Sequence, residues 1–187
     1  NIKQIFEDSI QLKKTIINDE LLYSLANMGE IASEAIKDGN KIMLCGNGGS
    51  AADAQHLAAE FLVRLRPLNN REGIPAIALA QDTSTITACG NDFGFQRLYE
   101  RIVQALGKEG DILIGITTSG NSENIIRAMK QAHNMGIKVF GFLGSSGGEA
   151  LNYCDESFLV PSNITGRIQE AHITAGHALM EFIEDQL

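Results

Sequence analysis

The sequence predicts an α/β fold: a five-stranded parallel sheet with helices on both faces, preceded by two further helices. Two observations carry this. Five short runs, residues 42–45, 76–79, 111–116, 138–143 and 156–160, have strand length and are bounded by turn-forming residues. Helical stretches separate them at the spacing of βαβ units, which makes the strands parallel. The first run, Ile42, Met43, Leu44 and Cys45, is apolar at every position, as suits a strand covered on both faces.

The elements follow in order. Ile2, Ile5, Phe6, Ile10, Ile16 and Ile17 recur at helical spacing over residues 2–17, and Asn18 and Asp19 interrupt. A second helix, residues 20–37, carries a broad apolar stripe and ends in an Asp38-Gly39-Asn40 turn. The stretch 41–66 reads as strand, glycine turn and helix, with Ser50 and Asp53 in an N-terminal capping pattern. Residues 67–73 form a polar loop before the second strand. Helical residues 82–88, a loop at 90–94 and a helix at 98–106 lead to the third strand. The hydroxyl-rich loop 117–122 precedes a helix over 123–135, and Gly136 ends it. After the fourth strand come a glycine turn at 144–148 and a short helix, then the fifth strand and a final helix over 166–185. No repeat, low-complexity tract or linker divides the chain, so residues 1–187 are expected to be one domain. Residues 1–38 exceed what a minimal α/β domain needs, and are expected to form an arm packed partly on another subunit.

Bulk composition narrows the function classes. The 187 residues are 44% hydrophobic and 20% charged, an ordinary globular balance. The net charge of −8 argues against non-specific nucleic-acid binding, which needs a basic face. It leaves room for a small anionic substrate in a locally positive pocket. Cys45, Cys89 and Cys154 are odd in number and contain no CxxC pair, so reduced cytosolic thiols are expected, without a disulfide framework. No apolar run approaches a membrane span and no leader peptide is visible; a cytoplasmic location is expected.

Three segments could carry chemistry. Asn47, Gly48 and Gly49 form a turn rich in glycine between the first strand and its helix, where free N–H groups and the helix dipole attract anions. On that helix, His56 and Glu60 stand four residues apart, on one face. Thr117, Thr118, Ser119 and Ser122 offer hydroxyls at a second strand-to-helix loop, which can satisfy phosphate oxygens without lysine. In open α/β sheets ligands bind outside such strand ends. The last helix holds Gln169 and His177, eight residues apart and broadly on one side, with His172 between them. His133 is expected at the surface. From these residues alone, a plain glycine turn, a surface His–Glu pair and a Ser/Thr-rich cap remain alternatives. Neither a Walker A loop nor a G-x-G-x-x-G fingerprint is present.

The pattern GNGGSAADAQHLAAE, then GNDFGF, TTSGNS and RIQEAHITAGH, in that order over nearly the whole chain, resembles the phosphoheptose isomerase family of sugar isomerase (SIS) domain proteins. The resemblance implies an SIS-type three-layer sandwich and a homotetramer with active sites at subunit junctions. It implies conversion of sedoheptulose 7-phosphate to D-glycero-D-manno-heptose 7-phosphate, an early step towards heptose precursors of bacterial surface glycans. By residue, it implies substrate contacts from Asn47, Gly48, Gly49, Glu60, Asn91, Asp92 and Gln169, and a phosphate loop of Thr117, Thr118, Ser119 and Ser122. Glu60 and His177 are implied as the acid–base pair, and His56, Glu60, Gln169 and His177 as ligands of one zinc per subunit. Three alternatives stand beside this reading: a non-catalytic SIS protein that binds a replication initiator, a sugar-phosphate sensor, and an isomerase of another sugar phosphate.

Overall fold

The computed structural model describes residues 1–17, 20–79 and 82–187; the predicted interruption at Asn18 and Asp19 lies outside them. Helices α1 (Ile2–Ile17) and α2 (Leu21–Lys37) precede strand β1 (Ile42–Gly46) and helix α3 (Gly49–Leu62). Strand β2 (Ala76–Ala78), helix α4 (Thr83–Asp92) and helix α5 (Leu98–Leu106) follow, with a 3-10 turn at Phe95–Arg97. The second half holds β3 (Ile112–Thr117), α6 (Glu123–Asn134), β4 (Lys138–Gly144), a 3-10 turn at Glu149–Tyr153, β5 (Glu156–Val160) and α7 (Thr165–Gln186).

All strand pairings are parallel, in the order β2-β1-β3-β4-β5. Successive side chains of a strand point to opposite faces. Ile42, Leu44, Ile112 and Ile114 therefore pack with α2, α3 and α7, while Met43, Cys45, Leu113 and Val139 pack with α5 and α6. Both faces are covered, which is why these runs are apolar throughout. The expected three-layer sandwich and its two opening helices are present. Chain order places β2 on one side of β1 and β3 on the other. The connections thus diverge at the carboxyl ends of β1 and β3 and leave a crevice there.

Most element ends shift by one residue, and the helices around the site depart from expectation in ways that matter. Helix α3 stops at Leu62, short of Arg66. The carbonyls of Glu60 and Phe61, which would accept from residues 64 and 65 in a longer helix, instead accept from the Arg71 guanidinium at 2.9 Å each. Ile74 N–H donates to the Phe61 carbonyl as well, at 2.9 Å. Helix α4 runs on to Asp92, so Asn91 and Asp92 lie in its last turn rather than in a loop. Asp82 starts it by accepting from Thr85 N–H at 2.7 Å. The Ser50–Asp53 capping pattern does not form: Gly48 is the N-cap, Ser50 lies inside the helix, and one Asp53 oxygen is buried with no hydrogen-bond partner. Helix α7 extends by one residue at each end.

Helix α1 buries only Ile16. Ile2, Phe6, Ile10 and Ile17 are 75%, 68%, 53% and 64% exposed, so an apolar stripe lies uncovered along it.

Candidate active site

The turn after β1 is tied to its neighbours on two sides. Asn47 and Asn124 exchange side-chain amide hydrogen bonds, 2.8 Å in each direction, which joins this turn to the first turn of α6. Gly49 faces Gln169 of α7 so closely that a Cβ on Gly49 would stand 2.5 Å from Gln169 Nε2. The glycine is what admits the amide. Tyr99 Oη–H donates to the Gly46 carbonyl and fixes the end of β1.

The loop after β3 holds its hydroxyls by internal bonds. Thr117 Oγ1 accepts from Gly120 N–H at 3.2 Å and lies 3.2 Å from Ser122 Oγ. Ser119 Oγ accepts from Asn121 N–H at 3.1 Å. Gly120 has φ +67° and leaves no room for a Cβ against the Gly147 carbonyl, so the loop rests directly on residues 147–150. Ala150 N–H donates to the Gly120 carbonyl at 2.8 Å, and Glu149 N–H to Asn121 Oδ1 at 3.0 Å. Ser122 is the N-cap of α6 without a side-chain capping bond. Hydroxyls and first-turn N–H groups thus meet at one helix start, the arrangement that binds oxyanions.

Helices α3 and α7 lie side by side on one face of the sheet. They bring His56 Nε2 within 2.9 Å of His177 Nε2, with the rings edge to face at 5.1 Å. At this separation one nitrogen carries the proton and the other offers its lone pair. Glu60 Oε1 lies 3.7 Å from His56 Nε2, and the Glu60 and His56 side chains are 24% and 48% exposed. The cluster is open to a ligand.

The sequence marks Asp53, one turn before His56, only as a capping residue. Burial raises its carboxyl pKa, partly opposed by the positive charge that His56 and His177 can carry. No sequence signal separates it from an ordinary helix-start aspartate. His172 has a different character. It is 1% exposed, its Nε2–H donates to the Leu143 carbonyl at 3.0 Å, and burial lowers its pKa to about 4. It is a neutral packing group against Phe142. His133 is exposed, as expected, 3.3 Å from Asp155.

The structure therefore brings together Asn47, Gly48, Gly49 and Gln169, and separately His56, Glu60 and His177; α7 links the two groups. Asn91 and Asp92 do not join them. They are exposed at the end of α4, where Asn91 Nδ2 donates to Asp92 Oδ1 at 2.7 Å. Asp92 lines a cleft of about 830 Å³ along the β2 edge that includes Phe93 and Arg101 and none of the His cluster.

Among the described residues, no group of three or more His, Cys, Asp or Glu side chains is gathered to hold a metal ion. The donor chemistry nevertheless fits zinc, which two imidazoles and one carboxylate commonly hold. Two nitrogens on a tetrahedral zinc stand roughly 3.3 Å apart. The His56–His177 pair would need to open by a few tenths of an ångström.

The fold has counterparts among known proteins. The SIS domain family model matches residues 6–144. Phosphoheptose isomerase of Clostridium acetobutylicum is 49% identical over 187 residues, covering 100% of this chain and 94% of that protein. The structure of a phosphoheptose isomerase from Francisella tularensis superposes with a TM-score of 0.93 at 40% identity, covering 98% of this chain and 96% of that one. The Neisseria gonorrhoeae phosphoheptose isomerase structure gives 0.91 at 39% identity, covering 98% and 97%. The chain belongs to the phosphoheptose isomerase family of SIS domain proteins.

Proposed function

We propose that the chain interconverts sedoheptulose 7-phosphate and D-glycero-D-manno-heptose 7-phosphate through a cis-enediol. The observation that carries this is the convergence of Glu60 and His177 beside His56, on a helix pair that also holds Gln169 against the turn after β1. Glu60 takes the proton from C1 of the ketose while the C2 carbonyl oxygen gains one, which gives the enediol. His177 returns a proton to C2 and the O1 hydroxyl loses its own, which leaves an aldehyde at C1. A carboxylate and an imidazole can both exchange protons near neutral pH. Thr117, Thr118, Ser119 and Ser122 receive the phosphate; Asn47, Gly48, Gly49, Asn91, Asp92 and Gln169 contact the sugar. His56, Glu60, Gln169 and His177 would hold zinc, which when bound supplies Lewis-acid polarisation of the carbonyl oxygen.

The active unit in this reading is a homotetramer in a single-domain fold, with sites at subunit junctions. The uncovered apolar stripe of α1 supports the arm of residues 1–38 as part of an interface. Asn91 and Asp92, remote from the His cluster within one chain, fit a site completed across a junction. Among the described residues no helix is long and apolar enough to cross a membrane. A cytoplasmic role in making heptose precursors for surface glycans agrees with that. The alternative of a replication-initiator-binding relative is not favoured, because the relatives are phosphoheptose isomerases and both Glu60 and His177 flank His56.

The test is isomerisation of sedoheptulose 7-phosphate by purified protein, followed by NMR with and without chelator and added zinc. Aldose formation that chelation abolishes and zinc restores supports both the reaction and the metal. Turnover indifferent to chelator keeps the acid–base pair and removes zinc. No turnover by folded protein under any condition overturns the reading.

A further inference from the structure

We propose that Arg71, locked to Glu184, is a positioning residue for Glu60; the inference rests on the isomerase reading above. Helix α3 has no basic residue in its last turn, where the carbonyl ends and the dipole favour a cation. Arg71, from the connection to β2, supplies that cation. Its Nη2–H donates to the Glu60 carbonyl at 2.9 Å, and its Nη1–H groups to the carbonyls of Phe61 at 2.9 Å and Glu72 at 2.8 Å. Its Nε–H donates to Glu184 Oε1 at 2.6 Å. The Arg71 side chain is 11% exposed and that of Glu184 is fully buried. Arg66 Nε–H takes the other Glu184 oxygen at 2.7 Å, so the carboxylate is itself immobilised.

One guanidinium therefore bridges the main chain of residue 60 to helix α7. Glu184 lies seven residues beyond His177, two turns along the same face. The two helices run in register. Gly49 meets Gln169, and Leu57 meets Gly176, where a Cβ would stand 2.5 Å from Leu57 Cδ1. The Arg71–Glu184 lock closes the end of this pair, one turn past His56, and so sets where the Glu60 carboxylate stands against the two imidazoles. A misplacement of about 1 Å in a reacting group costs on the order of 10²-fold in rate. Lysine has three donors on a point charge and cannot hold four acceptors in the plane of a guanidinium.

The experiment uses the full chain with Arg71→Ala and Arg71→Lys, measuring kcat and KM for sedoheptulose 7-phosphate and urea unfolding of each. We expect kcat to fall by about 10- to 100-fold in both, with KM within about threefold. Millimolar guanidinium should restore part of the Arg71→Ala activity, and sodium chloride at equal ionic strength should not. A folded Arg71→Ala with kcat within about fivefold of wild type overturns the proposal, as does a loss confined to KM. If Arg71→Ala does not fold, Arg71→Lys decides on the same threshold. Wild-type protein without isomerase activity overturns the functional reading itself, before any variant is compared.

Discussion

Arg71 ties Glu60 on α3 to Glu184 on α7, and these two glutamates are treated in opposite ways. Glu184 is fully buried and accepts from Arg66, Arg71 and Asn69. Burial pushes its carboxyl pKa up, but the bonds from Arg71 and Arg66 outweigh this and hold it below the ordinary value. Glu60 is held by Arg71 only through its main-chain carbonyl; its carboxylate, 24% exposed, has His56 at 3.7 Å. A carboxylate saturated with donors is a fastener. One left with open lone pairs beside imidazoles can move a proton. The two histidines of α7 repeat the contrast: His172 is sealed and neutral, while His177 meets His56 at a ligand-accessible cluster.

The contrast can be broken most sharply at Glu60. Glu60→Gln should leave urea unfolding unchanged and cut turnover by about 10²–10⁴-fold, as loss of a general base does; turnover within about tenfold of wild type would remove Glu60 from that role. Glu184→Ala should act on stability first, by about 3 kcal/mol in urea melts, because it leaves the largely buried Arg71 guanidinium, 11% exposed, without its carboxylate. The acid response of that pair has a definite sign. With the folded pKa below the unfolded one, its contribution is complete above pH ~4.3 and is lost as pH falls through the folded pKa.

His172 sharpens the comparison at milder pH. Its folded pKa of about 4 lies below the ordinary 6.5. The unfolded chain therefore binds the proton first, and stability should fall as pH drops from 6.5 towards 4. The full effect is about 3 kcal/mol, at 1.36 kcal/mol per pKa unit. His172→Asn should remove one proton from the pH dependence of unfolding; an unaltered slope would contradict the buried neutral imidazole. The smallest effect is expected at Gly49. Gly49→Ala would push Gln169 aside, a flexible side chain, and should lower turnover by about tenfold with stability changed by under about 1 kcal/mol. An unchanged rate would show that Gln169 does not need its present seat.

The sequence by itself determined the layers, because strands covered on both faces must be apolar at every position and helices between them make the sheet parallel. It also displayed the two strand-end loops, since glycines and hydroxyls at such junctions are local features. It could not show that α3 ends early, that Asn91 and Asp92 complete a helix, or that one Asp53 oxygen is buried without a hydrogen-bond partner. The end of α3 depends on a guanidinium from residue 71, which takes the carbonyls that a longer helix would use. Only the tertiary structure decided which histidines meet. His56 and His177 are 121 residues apart in the chain and 2.9 Å apart in space, a proximity set by the in-register pairing of α3 with α7 over one face of the sheet.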